Sequence, residues 1–234
     1  MLREIVLDTE TTGLDANGGD RIIELGCIEI VNRIPTGREF HRYLNPDRSV
    51  HPDAVAVHGL TAEFLKDKPR FKDVVDPLLD FLGEAPLIMH NASFDVGFLN
   101  AELERLARPP LPGNRVIDTL ALARRKHPAG PNSLDALCKR YGIDNSNRTK
   151  HGALLDSHLL AGVYVELLGE RQATLGLGSQ GSNGANGSDF RPAAAAKPRP
   201  EPLPSRLTPA QQGAHVEFVK TLGPNALWLQ YSDE

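Results

Sequence analysis

The stretch IVLDTETTG, residues 5–13, is a run of strand-forming side chains that ends in two carboxylates, Asp8 and Glu10, separated by one threonine. In an extended strand residues i and i+2 project to the same face, so Asp8 and Glu10 point the same way. Like charges a few ångströms apart raise each other's proton affinity unless a cation lies between them. All-carboxylate ligation suits a hard divalent ion such as Mg²⁺ or Mn²⁺. A solvated strand end before the turn at Gly13 accounts for the same residues, so the pair alone leaves both readings open.

Outward from this strand, residues 21–31, RIIELGCIEIV, have the length and β-branched content of a second. Residues 37–46, GREFHRYLNP, set Phe40, Arg42 and Leu44 against Glu39, His41 and Tyr43, the period-2 pattern of a half-buried third strand. Short turns bearing Gly and Pro favour an antiparallel meander. The periodicity then becomes helical at Val74, Leu78, Leu79 and Leu82, and again at Phe94, Phe98, Leu99, Leu103 and Leu106, with the short apolar strand APLIMH at 85–90 between them. Residues 115–117 read as a strand, 119–126 as a helix, 133–141 as a helix ended by Gly142, and 153–168 as a longer helix. This order specifies an α/β fold, a mixed sheet covered by helices.

The 234-residue chain has room for one substantial core plus an appendage. A hydrophobic share of 40% with 24% charged residues excludes global disorder and fibrous architecture. The net charge of −4 argues against generic coating of nucleic acid, which relies on clustered Lys and Arg, but not against nucleic acid as a substrate. No apolar run approaches the roughly 20 residues that cross a bilayer, and no basic region leads into a signal-type segment; the expectation is a cytoplasmic protein. Cys27 and Cys138 lie far apart in apolar surroundings and read as reduced packing residues, with a bridge or a reactive thiol left open.

Two further carboxylates bear on the metal reading. Asp95 follows the strand LIMH within HNASFD, at the first turn of a helix, and Asp156 lies early in the helix after KHGALL. Placement near a helix dipole accounts for Asp95 alone, and a solvated helix face for Asp156 alone. His151 and Asp156 on one regular helix would stand about 140° apart and about 7.5 Å along the axis. They converge only if His151 precedes the helix, on the segment between Lys150 and Gly152. A histidine beside a metal-bound water is a suitable general base, and four carboxylates with a histidine are the parts of a metal-assisted phosphodiester hydrolysis.

DTET at residues 8–11, HNASFD ending at Asp95 and HGALLD at residues 151–156 resemble the three exonuclease motifs of the DnaQ-like superfamily, in its histidine-containing subclass. Order, spacing and context agree over roughly residues 3–170. The resemblance implies an RNase H-like mixed sheet, an antiparallel meander followed by parallel strands. It also implies that Asp8, Glu10, Asp95 and Asp156 hold two Mg²⁺ or Mn²⁺ ions, that His151 deprotonates the attacking water, and that 3′-terminal nucleotides leave as 5′-monophosphates. A further segment, AVAVHGLT at 54–61, resembles the family's support for the terminal nucleotide. Glu10, Thr11, Asp53, Val57, His58, Asn91, Phe94 and Asp156 are the expected substrate contacts. Thr61 doubles as an N-cap candidate and Phe94 as a core residue. The basic residues Arg124, Arg125, Lys126, Lys139, Arg140, Arg148 and Lys150 are candidates for backbone phosphates.

Residues 171–206 run through Gly/Ser/Asn-rich and then Ala/Pro-rich sequence, the composition of a flexible linker. Residues 207–234 regain apolar side chains but are too few for a core of their own, which suggests a docking segment. The layout is an exonuclease domain over 1–170, a linker over 171–206 and a docking segment over 207–234. The tail resembles one branch of the superfamily, the proofreading epsilon subunits of bacterial DNA polymerase III. Val216, Phe218, Val219, Leu222 and Trp228 would anchor it to the polymerase alpha subunit, and Gln172, Leu175 and Leu177 resemble a sliding-clamp motif without its aromatic last residue. A small accessory subunit on the nuclease domain is a further partner of this branch. Two rivals share the sequence features: an RNA 3′-end trimming exonuclease and a non-catalytic replisome adaptor.

Overall fold

A computed structural model describes residues 2–169, 207–224 and Trp228. The chain divides into two compact units, Met1–Leu177 and Gly178–Glu234. In the first, strands β1 (Arg3–Thr11), β2 (Ile22–Val31), β3 (Ile34–Tyr43), β4 (Leu87–Met89) and β5 (Val116–Asp118) form one sheet in the order β3-β2-β1-β4-β5. The first three strands pair antiparallel, and β4 and β5 add in parallel on the far side of β1. The expected antiparallel meander followed by parallel strands is what the backbone adopts.

Helices α1 (Pro52–His58), α2 (Ala62–Leu65), α3 (Phe71–Leu82), α4 (Ala92–Arg105), α5 (Thr119–Lys126), α6 (Leu134–Tyr141) and α7 (Ala153–Leu168) complete the unit. Alternation along β1 sorts the two faces of the sheet. Ile5 and Leu7 pack in one core with Val74, Leu78 and Leu82 of α3 and Phe98 and Leu99 of α4. Val6, Ile28 and Ile88 pack in another with Leu160, Ala161 and Tyr164 of α7. Each fully buried Leu, Ile or Phe in these layers contributes about 1.5–3 kcal/mol.

One element was not read in the sequence and one is read with other bounds. Residues 52–58 are a helix, started by Pro52 at its first turn and closed by Gly59 at φ 77°, so His58 ends α1; Thr61 caps α2 by accepting the Phe64 N–H. Strand β3 begins at Ile34 rather than residue 37, and along it only Phe40 is buried. This strand is an edge, and Arg42 lies over the Phe40 ring at 5.0 Å instead of burying its charge. Finally, Cys27 and Cys138 are both buried and free, as packing residues should be.

In the second unit α8 (Pro209–Thr221) starts at Thr208, whose hydroxyl accepts the Gln211 N–H while the Gln211 side chain accepts the Thr208 N–H. Val216, Phe218, Leu222 and Trp228 are exposed and Val219 is buried. Residues 171–206, with Gln172, Leu175 and Leu177 among them, lie outside the described residues. No helix among the described residues is long and apolar enough to cross a membrane.

Candidate metal centre

Parallel strands β1 and β4 end side by side next to the point where the strand order departs from chain order, the kind of crevice in which open α/β sheets bind ligands. A cleft of about 780 Å³ opens there. Asp8 and Glu10 enter it from the end of β1, and Asp95 from the first turn of α4. Asp156 enters from the first turn of α7, and His151 from the segment before that helix. Thr11, Asp53, Val57, His58, Asn91 and Phe94 line the same cleft, so the expected metal ligands, base and substrate contacts of the nuclease domain all face one cavity.

Local chemistry sets each position. Asn91 takes a left-handed conformation, φ 65° and ψ 52°, and its N–H donates to Asp118 Oδ1 at 3.1 Å. Asparagine tolerates that conformation better than most residues, and it turns the chain sharply into α4. Asp95 then accepts the Thr9 hydroxyl at 2.8 Å. Thr9 projects to the face opposite Asp8 and Glu10, so the residue separating the two acids fastens the third. On α7, Gly26 of β2 sits across from Asp8, and a Cβ there would lie 2.2 Å from the Ala153 carbonyl carbon. The missing side chain lets the start of α7 descend on the sheet, where the Ser157 hydroxyl donates to Gly26 O at 2.8 Å. Asp156 is thereby lowered to the level of Asp8.

His151 stands outside the helix, as convergence with Asp156 requires. Its backbone N–H donates to Val57 O at 3.2 Å, and the ring Nδ1 lies 3.5 Å from Asp156 Oδ2. Glu10, His151 and Asp156 each bring one donor atom within 4.8 Å of the others.

The electrostatics are those of acids crowded without enough counter-charge. Burial, then Asp95, Glu10 and Asp156, hold the Asp8 carboxyl well above the usual range. Burial, then Glu24, which pairs with Glu10 across β1 and β2, pushes Glu10 up to about 8. Burial raises Asp95 to about 7 against the lowering hydrogen bond from Thr9. Desolvation, then Arg148, lowers the His151 imidazole, which favours its neutral form near pH 7. Such a set of hard oxygen donors around one imidazole fits divalent cations, whose charge would relieve the repulsion.

His58 is buried. Its Nδ1 accepts the Leu60 N–H at 2.9 Å, which leaves Nε2 carrying the proton, and Nε2 has no hydrogen-bond partner among the described residues. Burial lowers its proton affinity, and the Thr11 backbone lies close enough to support the protonated ring against that effect.

Several basic residues are engaged inside the protein rather than free for phosphates. Lys150 Nζ donates to Ala56 O at 2.5 Å, and Lys126 Nζ to the carbonyls of Glu166 and Leu167 at the end of α7. Arg148 is drawn furthest from expectation. Its Nε and Nη2 donate to the two oxygens of Asp156 at 2.6 Å each, Nη1 to Asp135 Oδ2 at 2.8 Å, and Nη2 also to His151 Nδ1 at 2.8 Å. A sequence reading weighs an arginine near acidic motifs as a phosphate contact, because it cannot see which acid the loop brings within reach.

The family model described as "Exonuclease" matches residues 5–164. The chain is 54% identical over 175 residues to the DNA polymerase III subunit epsilon of Rickettsia felis, covering 74% of this chain and 76% of that one. It is 52% identical over 174 residues to the subunit of the same name from Escherichia coli K12, covering 71% and 72%. Among solved structures, exonuclease X in complex with 5′-overhanging duplex DNA superposes with a TM-score of 0.56 at 29% identity, over 73% of this chain and 92% of that one. The nuclease domain of 3′hExo, a DEDDh family member bound to rAMP, shares the fold with a TM-score of 0.61 at 19% identity, over 72% and 92%.

Proposed function

The chain belongs to the exonuclease family, and from that premise we propose how its cleft works and what its tail does. It is a 3′–5′ DNA exonuclease of the epsilon type, the proofreading subunit of a bacterial DNA polymerase III. The observation that carries the chemistry is the convergence of Asp8, Glu10, Asp95, Asp156 and His151 on one cleft.

Asp8, Glu10, Asp95 and Asp156 would hold two Mg²⁺ or Mn²⁺ ions. Bound there, such ions activate a water and stabilise the leaving oxygen of an in-line displacement. His151, outside α7 and with a neutral imidazole favoured, takes the proton from the attacking water. His58, Val57 and Phe94 border the slot for the terminal nucleotide and pack against its base or sugar. Thr11, Asp53 and Asn91 border the same slot. Error selectivity needs no reading of the wrong base, because a mismatched end unpairs more easily and the cleft accepts a single strand.

Residues 207–234 dock on the polymerase alpha subunit through Val216, Phe218, Val219, Leu222 and Trp228, and residues 171–206 are the tether. Tethering raises the effective concentration of the nuclease at the primer end without new contacts. The acids argue against a non-catalytic adaptor, which has no use for carboxylates held far above their ordinary proton affinity.

The direct test is release of 5′-mononucleotides from a DNA oligonucleotide with Mn²⁺ or Mg²⁺. Loss of release on adding chelator and in folded Asp8→Ala and Asp156→Ala variants is expected. Undiminished release in either variant would remove the metal assignment.

A further inference from the structure

We propose that Arg148 is the resident cation of the metal-free centre, a guanidinium latch on Asp156 and His151 that must swing off before the first divalent ion can be held. The proposal rests on the metal reading above and adds to it a residue with a defined conflict of interest.

The Arg148 side chain is only 6% exposed, although the residue lies on the loop between α6 and α7. Its fork meets both oxygens of Asp156, the arrangement by which arginine grips a carboxylate most firmly. A divalent ion held between Glu10 and Asp156 would draw on the same carboxylate, and guanidinium and metal repel. The two cations therefore compete for one carboxylate.

The contact with His151 sharpens the competition. A guanidinium only donates, so the 2.8 Å contact from Nη2 makes His151 Nδ1 the acceptor. The free imidazole nitrogen is then the protonated one, and the lone pair that a base needs is occupied. Release of Arg148 frees the carboxylate for the metal and the lone pair for the proton in one movement.

A second seat is already in place. Asp135, at the first turn of α6, accepts Arg148 Nη1 through Oδ2 and the Asn145 side chain through Oδ1, and it is 55% exposed at the cleft rim. The guanidinium can leave Asp156 while keeping Asp135. The loop backbone allows this, since the Arg148 N–H donates only to Asn145 O, within the same loop.

The experiment is calorimetric titration of Mn²⁺ into the metal-stripped full chain without DNA, for the parent, Arg148→Ala and Arg148→Lys, with melting curves in chelator and in saturating Mn²⁺. If the latched form is about 90% populated, removing it tightens apparent Mn²⁺ affinity about tenfold. Arg148→Ala should also melt below the parent in chelator, with the gap narrowing in Mn²⁺. Arg148→Lys, which cannot fork, should fall between and keeps the test open if the alanine variant misfolds. A ¹⁵N spectrum of His151 should show Nδ1 unprotonated in the metal-free parent and a mixture of tautomers in the lysine variant. Unchanged or weaker Mn²⁺ affinity in both variants would overturn the latch. Absence of Mn²⁺ binding by the parent would instead overturn the metal reading beneath it.

Discussion

Thr9 shows how much one residue of DTET carries. Its neighbours Asp8 and Glu10 turn to the α7 side, and its own hydroxyl reaches Asp95 on the α4 side at 2.8 Å. Because that hydrogen bond lowers the Asp95 proton affinity against burial, Thr9→Val should raise it further. We expect the rising limb of the pH–activity profile to move to higher pH in Thr9→Val and to return in Thr9→Ser; coincident profiles for Thr9→Val and the parent would remove Thr9 from the site's electrostatics. His151→Ala should lower kcat by roughly 10²–10⁴-fold, the usual worth of a general base, with little change in DNA affinity. Parent-like kcat across neutral pH would exclude it as the base.

The acids also set a pH dependence of stability. Glu10 is raised from its ordinary 4.5 to about 8 and Asp95 from 3.8 to about 7. The folded state therefore binds more protons than the unfolded state between those limits, and stability falls as pH rises through that window. Metal-free protein should melt progressively lower from about pH 5 to pH 8. The Tm gained on adding Mn²⁺ should grow over the same range, since ligands must be deprotonated to bind. A Tm that rises with pH in chelator would contradict the assignment.

Among elements, the start of α7 is the decisive one, and Gly26 is its seat. A Cβ at Gly26 meets Ala153 backbone at 2.2 Å, so Gly26→Ala should lift the helix and cost about 1–3 kcal/mol, as overpacking does. Melting curves should fall by roughly 2–4 °C per kcal/mol, and Mn²⁺ affinity should weaken because Asp156 moves with the helix. Parent-like Mn²⁺ binding would show that this packing does not place the ligand.

Elements also show what the sequence made legible. Period-2 and helical spacings mark the strands and long helices, and the five-residue gap from His151 to Asp156 requires a histidine outside α7, where it stands. The helix at Pro52–His58 was obscured because its apolar residues line a cleft rather than forming a buried stripe. Gly26, a lone glycine within a β-branched strand, carried a sign of close backbone approach that became clear only with α7 above it. Arg148 reaches Asp135 and Asp156 on two helices and Thr9 reaches Asp95, and no local spacing encodes a contact across 86 residues.

At the scale of the whole molecule, we propose that the tail joins the nuclease to a polymerase. Deleting residues 207–234 should leave mononucleotide release intact and abolish co-purification with the alpha subunit; retained complex would contradict the docking role. Comparison of DNA and RNA oligonucleotides separates proofreading from RNA trimming, since only a slot tolerant of the 2′-hydroxyl degrades RNA. The central claim is error removal by metal-dependent 3′ hydrolysis. It is tested most directly by digesting a 5′-labelled primer–template carrying a matched or a mismatched 3′ end, with Mg²⁺ or Mn²⁺ and with chelator. The account predicts metal-dependent stepwise shortening from the 3′ end, faster on the mismatch and absent in Asp8→Ala. Shortening that ignores the metal, or that is no faster on the mismatch, would contradict it.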